Sequence, residues 1–170
     1  QLLGRPAGDG LITIRETDRM LVLSCEQFTY VFNKLTGLFD KMTFANEPLL
    51  DQPMGFNVWR APTDNDRKLK ADWYAAHYDH AATNAYHTEY TVTASGVTLH
   101  THVGIAAICV QKFLDLDVTW TVANNGSVDL ALHAQRNTVF PELPRFGLRL
   151  FLPQEMSQVN YYGMGPMECY

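Results

Sequence analysis

Asp64, Asn65 and Asp66 stand in a row inside Trp59-Arg60-Ala61-Pro62-Thr63-Asp64-Asn65-Asp66-Arg67, a stretch dense in turn formers. Carboxylate and amide oxygens accept the hydrogen bonds that sugar hydroxyls donate, and they also ligate hard cations. The same side chains serve an ordered loop equally well, by satisfying their own backbone and capping a following helix. A calcium loop would need more oxygen ligands at set spacing, and these are missing. Six histidines raise a metal question. His77 and His80 lie three apart on a predicted helix, and His100 and His102 lie two apart on one strand face. Neither pair has a third ligand at a recognisable spacing, and no H-E-x-x-H is present. Both pairs read as solvated surface. Asp115 and Asp117, about 6–7 Å apart along a strand at ~3.3 Å per residue, come near the spacing of paired glycosidase carboxylates. They read instead as the wet side of a sheet. With no G-x-S-x-G, no nucleophilic cysteine context and no phosphate-cradling glycine loop, the chain shows no complete active site.

The elements that must carry these residues follow a period of two. Leu114, Leu116, Val118, Trp120 and Val122 alternate with Asp115, Asp117, Thr119 and Thr121. Such alternation buries one face of a strand, because successive side chains point to opposite sides. After Asn124-Asn125-Gly126-Ser127 the pattern resumes with Val128, Leu130, Leu132 and Ala134. This predicts a hairpin whose Asn-Gly supplies the positive φ angles of the turn. Trp120, Leu130 and Leu132 are expected to point into the core together. Shorter runs recur at Leu11 to Glu16, Met20 to Cys25, Phe28 to Phe32, Leu38 to Phe44, Tyr86 to Val92, Val97 to Val103, Gly147 to Leu152 and Val159 to Tyr162. Strands at this spacing argue a sandwich rather than βαβ units. Asp72 to Ala82 is Ala-rich and free of Gly, Pro and Val, so a single short helix is expected near 71–82, with Asp72 as its N-cap. Residues 1–10, with three Gly and a Pro, read as an interdomain tether, and 11–170 as one β-sandwich domain.

Composition sets the remaining bounds. The chain has 170 residues, 46% of them hydrophobic and 12% aromatic, which excludes a disordered protein. Thirteen Lys and Arg against eighteen Asp and Glu give a net charge of −5, so nothing favours nucleic acid as a partner. No apolar run approaches the ~20 residues of a membrane helix. The first residues lack a signal-peptide layout. Cys25, Cys109 and Cys169 are odd in number and widely spaced, which fits a cytoplasmic location better than a disulfide framework or a zinc site.

Three segments together resemble one family. They are Phe28-Thr29-Tyr30-Val31-Phe32-Asn33-Lys34-Leu35-Thr36-Gly37-Leu38 with Glu47-Pro48-Leu49-Leu50, then Asn57-Val58-Trp59-Arg60-Ala61-Pro62-Thr63-Asp64-Asn65-Asp66, and Leu143-Pro144-Arg145-Phe146-Gly147-Leu148-Arg149-Leu150 running on to Tyr161-Tyr162-Gly163-Met164-Gly165-Pro166-Met167-Glu168-Cys169-Tyr170. In this order they are similar to the C-terminal domain of bacterial β-galactosidases of glycoside hydrolase family two. The resemblance covers nearly everything after residue 20, and its most specific part is W-R-A-P-T-D-N-D.

The resemblance implies an all-β fold, an antiparallel β-supersandwich of the galactose-mutarotase type. It implies that a pair of glutamates in a (β/α) barrel elsewhere in the polypeptide performs retaining hydrolysis of terminal β-D-galactosides such as lactose, so that no catalytic residue is expected in this chain. The domain would close one side of the galactoside pocket, with Arg60, Asp64, Asn65, Asp66 and Glu168 at its rim. It implies no cofactor or metal here, with Mg and Na bound in other domains of the parent enzyme. The expected partners are the barrel, the galactoside and further copies of the chain through sheet edges. Cys169 stands where the family's G-P-x-E-N-Y ending has Asn, and the family continues through further strands, so the chain reads as an incomplete supersandwich. Two other readings remain: a free-standing carbohydrate-binding module, favoured by three Trp and eight Tyr, and a mutarotase-like isomerase. The latter would draw on His100, His133 and Glu142 as acid and base.

Overall fold

A computed structural model describes residues 10–108, 110–158 and 160. Among these, five strands form one antiparallel sheet in sequence order: β1 (Thr13–Glu16), β2 (Met20–Ser24), β3 (Phe28–Asn33), β4 (Leu38–Phe44) and β5 (Glu47–Pro48). A second, four-stranded sheet runs β10-β9-β8-β7, from β7 (Ala82–Thr93), β8 (Gly96–Ala106), β9 (Leu114–Ala123) and β10 (Val128–Arg136). The third sheet pairs β11 (Gly147–Phe151) with β6 (Gln52–Asn57). The all-β antiparallel expectation holds. The run from Val159 to Tyr162 lies outside the described residues apart from Asn160, as does the tether apart from Gly10.

The alternation decides which faces are buried. Leu114, Leu116, Val118, Trp120 and Val122 are all buried on β9, and Leu21, Leu23, Tyr30, Phe32 and Phe39 answer them from the first sheet. The Phe39 and Trp120 rings meet edge to face at 5.2 Å across the sandwich, a geometry worth about 0.5–1.5 kcal/mol beyond the area buried. Two turn carbonyls take the polar ends of these aromatics. Trp120 Nε1 donates to Gly37 O at 3.0 Å, and Tyr30 Oη donates to Gly126 O at 2.8 Å. Each sheet thus anchors a buried aromatic in a turn of the other. Gly37 has no substitute there: its φ is +73°, and a Cβ would lie 2.7 Å from Val103 Cγ2.

Five expectations need correction. The helix is shorter: α1 spans Lys70–Ala75, and a separate 3₁₀ turn spans Tyr78–His80. His77 separates them with a φ of +56°, a left-handed conformation that no continuing α-helix admits. His77 and His80 are therefore not a pair on one helix. The N-cap is Leu69, and Asp72 lies inside the first turn. In the β9–β10 turn only Gly126 takes a positive φ. Asn125 contributes through its side chain, whose Oδ1 accepts from Ser127 N–H at 3.0 Å. Finally, Leu130 pairs with Trp120 as the alternation requires, yet it is 37% exposed. Among the described residues it lies on an edge strand, where it lines an open groove with Leu148, Leu150 and Met156.

Candidate functional site

β6 ends at Asn57 and feeds the loop that carries the Asx cluster. Asn57 Oδ1 accepts from Trp59 N–H at 3.1 Å, and Val58 is buried, so the loop leaves the sheet in a fixed direction. Arg60 then turns back on Asp66: Nη1 donates to Oδ2 at 2.5 Å and Nη2 to Oδ1 at 2.9 Å. Two parallel charge-assisted bonds match the planar fork of the guanidinium to the carboxylate. Thr63 adds its backbone N–H at 2.7 Å and its hydroxyl at 2.9 Å, both to Asp66 Oδ2. Asp66 is the third residue of a 3₁₀ turn (Asp64–Asp66) that Thr63 precedes, and its own N–H donates back to Thr63 O at 3.0 Å, which closes the start of the turn. Arg60 first, then the Thr63 amide, hold the Asp66 carboxyl well below the usual carboxylate range, and Asp66 in return raises Arg60.

The loop also grips a second segment from far along the chain. Residues 140–144 read Phe-Pro-Glu-Leu-Pro and run as an irregular strap between β10 and β11. Four of its carbonyls accept a side-chain donor. Arg136 Nη1 reaches Phe140 O at 2.7 Å, Tyr78 Oη reaches Pro141 O at 2.7 Å, Trp73 Nε1 reaches Glu142 O at 2.9 Å, and Arg60 Nε reaches Pro144 O at 3.1 Å. Backbone groups that make no sheet ladder still need partners, and two prolines leave this strap short of its own N–H donors. Trp73 is buried, and the Arg60 guanidinium lies 5.1 Å from its ring centroid. The Tyr78 hydroxyl is raised by burial, against the Arg136 charge. Arg136 closes the far end through Glu142 Oε1 at 2.7 Å.

The cluster is therefore divided. Arg60 and Asp66 point inward and hold the loop, whereas Asp64 and Asn65 are exposed beside them. Glu168 lies outside the described residues. Trp73, Tyr78 and Arg136 went unread as loop anchors in the sequence. The signal that was there is the proline-punctuated strap, whose carbonyls require donors. His102 sits on the outer face of the four-stranded sheet, with Nδ1 2.9 Å from Asp117 Oδ1 and Nε2 3.2 Å from Asp115 Oδ1. Lys112 also meets Asp115 at 2.5 Å, and that bond raises its ammonium. His100 Nδ1 lies 3.0 Å from Thr119 Oγ1. Glu142 sits in the strap with Arg136, whereas His100 and His133 occupy strands β8 and β10.

The family model described as beta galactosidase small chain matches residues 24–170. The chain belongs to this family. The β-galactosidase of Actinobacillus pleuropneumoniae is 38% identical over 144 residues, which cover 85% of this chain and 14% of that protein. The β-galactosidase of Staphylococcus xylosus is 34% identical over 160 residues, 94% of this chain and 16% of that protein. That of Pseudoalteromonas haloplanktis is 27% identical over 179 residues, again 94% and 16%. This small-chain domain thus spans about a sixth of the relatives it matches. Two of the segments that carry the resemblance lie together in the fold. Asn57 pairs with Gly147 and Phe56 with Leu148, and Arg60 bonds Pro144 just before β11. Among the described residues, no helix is long and apolar enough to cross a membrane, and no three His, Cys, Asp or Glu side chains stand as a metal-holding group.

Proposed function

We propose that this chain is the non-catalytic small-chain domain of a β-galactosidase acting on terminal β-D-galactosides such as lactose. The observation that carries the proposal is the Arg60–Asp66 bridge, which fixes the most family-specific loop while leaving Asp64 and Asn65 exposed. A rim built this way offers one carboxylate and one amide to sugar hydroxyls at low entropic cost, because the loop is already ordered. The barrel of the parent enzyme supplies the two hydrolytic glutamates and binds whatever Mg and Na the reaction uses. The domain contributes pocket wall and interdomain surface, joins further copies through sheet edges, and works in the cytoplasm.

The test is an assay of the purified chain with a nitrophenyl β-galactoside, together with calorimetric titration by lactose and polarimetry of galactose mutarotation. The expected result is background in all three. Turnover that survives rigorous purification would overturn the non-catalytic assignment. Lactose binding by the chain alone would favour a carbohydrate-binding module, and accelerated mutarotation an isomerase.

A further inference from the structure

Asn125 is the one asparagine of the chain that glycine follows. That pair carries a latent reaction. Once base removes its proton, the Gly126 backbone nitrogen can attack Asn125 Cγ. The new C–N bond closes a five-membered succinimide, and the side-chain nitrogen takes up a proton and leaves as ammonia. Water then opens the ring at one carbonyl or the other, leaving aspartate or isoaspartate. Water is the only co-reactant. Glycine favours the closure because no Cβ crowds the attacking nitrogen.

The native turn holds this reaction back. Attack requires the nitrogen deprotonated and aligned on Cγ at roughly 3–3.5 Å. Gly126 N–H instead donates to Ala123 O at 2.9 Å, and Gly126 is buried, so that proton is kept from base. Nor is Gly126 free to swing toward the side chain. Its carbonyl accepts from Tyr30 Oη at 2.8 Å, and a Cβ on it would lie 2.8 Å from Phe44 Cε2 and 3.1 Å from Phe28 Cδ1. The Asn125 amide carbonyl, by contrast, is primed. Its Oδ1 accepts from Ser127 N–H at 3.0 Å and from the Ser127 hydroxyl at 2.7 Å, two donors that would stabilise the oxyanion of the adduct. The electrophile stands ready and the nucleophile is locked by the turn's seat on the first sheet.

We propose that Asn125 is a modification site gated by the Tyr30–Gly126 hydrogen bond. It deamidates when the β9–β10 turn lifts from the first sheet and stays intact while the turn is seated. Isoaspartate, once formed, adds a backbone atom between positions 125 and 126. The turn that joins Val122 to Val128 in register then no longer sets Gly126 O on Tyr30. Modification thereby makes a transient opening a lasting one.

The experiment incubates the full chain at mildly alkaline pH with a thiol reductant, either native or in denaturing urea. Peptide mapping by mass spectrometry follows Asn125, with isoaspartate resolved by chromatography. Deamidation should be at least about tenfold slower in the native chain. Tyr30→Phe should speed the native reaction several-fold. Trp120→Phe removes the other cross-sheet anchor, at Gly37. It should speed the reaction much less when both variants are held equally far below their urea midpoints. The isoaspartate form, purified and returned to native buffer, should unfold at lower urea than the unmodified chain. A native rate equal to the rate in urea would overturn the gate. Equal acceleration by the two variants would do the same, since it traces the reaction to global unfolding. An unchanged urea midpoint for the isoaspartate form would overturn the lasting effect.

Discussion

Arg60 and Asp66 engage through both ends of the guanidinium, and the same arginine reaches Pro144 through Nε. One side chain therefore ties the Asx loop to itself and to a strap 84 residues away. Removing either partner leaves an opposite charge in a half-buried place without its counter-ion, which is costlier than removing both. Asp66→Asn is expected to lower the melting temperature, and Arg60→Leu to lower it further, since the strap contact goes too. The double variant should melt closer to wild type than the two single losses added together. Thermal unfolding by circular dichroism checks the series.

The same pair predicts a pH dependence. The folded Asp66 carboxyl titrates below its unfolded value of about 3.9. Its contribution is fully present above that value and fades as the pH falls through it toward the folded value. The melting gap between wild type and Asp66→Asn should therefore be constant from neutral pH to about 5 and narrow below about 4. A gap that widens on acidification would contradict the bridge.

Asp64 offers the contrast. It is exposed, so Asp64→Ala should change stability by less than about 0.5 kcal/mol. This reverses the loss of about 1 kcal/mol that a helix-capping aspartate would give. If Asp64 serves the pocket rim, the same substitution in a full-length relative should raise KM for lactose and leave the melting temperature unmoved.

Trp120 separates packing from hydrogen bonding. Trp120→Ala empties a core site that is 2% exposed and should cost about 3–5 kcal/mol. Trp120→Phe retains most of the ring but strands the Gly37 carbonyl, at about 1–3 kcal/mol. Urea midpoints at a common slope measure both.

Gly37→Ala should also destabilise, by at least about 1–2 kcal/mol from the left-handed backbone alone. Its Cβ would in addition press on Val103 and Thr101. The same urea titration reads it.

What the sequence determined by itself is the local pattern. Alternation on β9 named its buried residues one by one, because the two faces of a strand follow from backbone geometry alone. The Asn124-Asn125-Gly126-Ser127 turn was legible because glycine reaches positive φ without a steric penalty. The family was legible too, through W-R-A-P-T-D-N-D. Tertiary structure alone decided the rest. β6, with Pro53 and Gly55, has little strand propensity of its own and exists as a strand because β11 pairs with it. Of two aspartates two positions apart, Asp66 turned inward and Asp64 stayed out, a choice made by where Arg60 stands. The strap at 140–144 is held by side chains 63 to 84 residues earlier in the chain, together with Arg136 beside it. Leu130 carries the core pattern and is still partly exposed, since periodicity fixes which face a residue lies on but not whether another layer covers it.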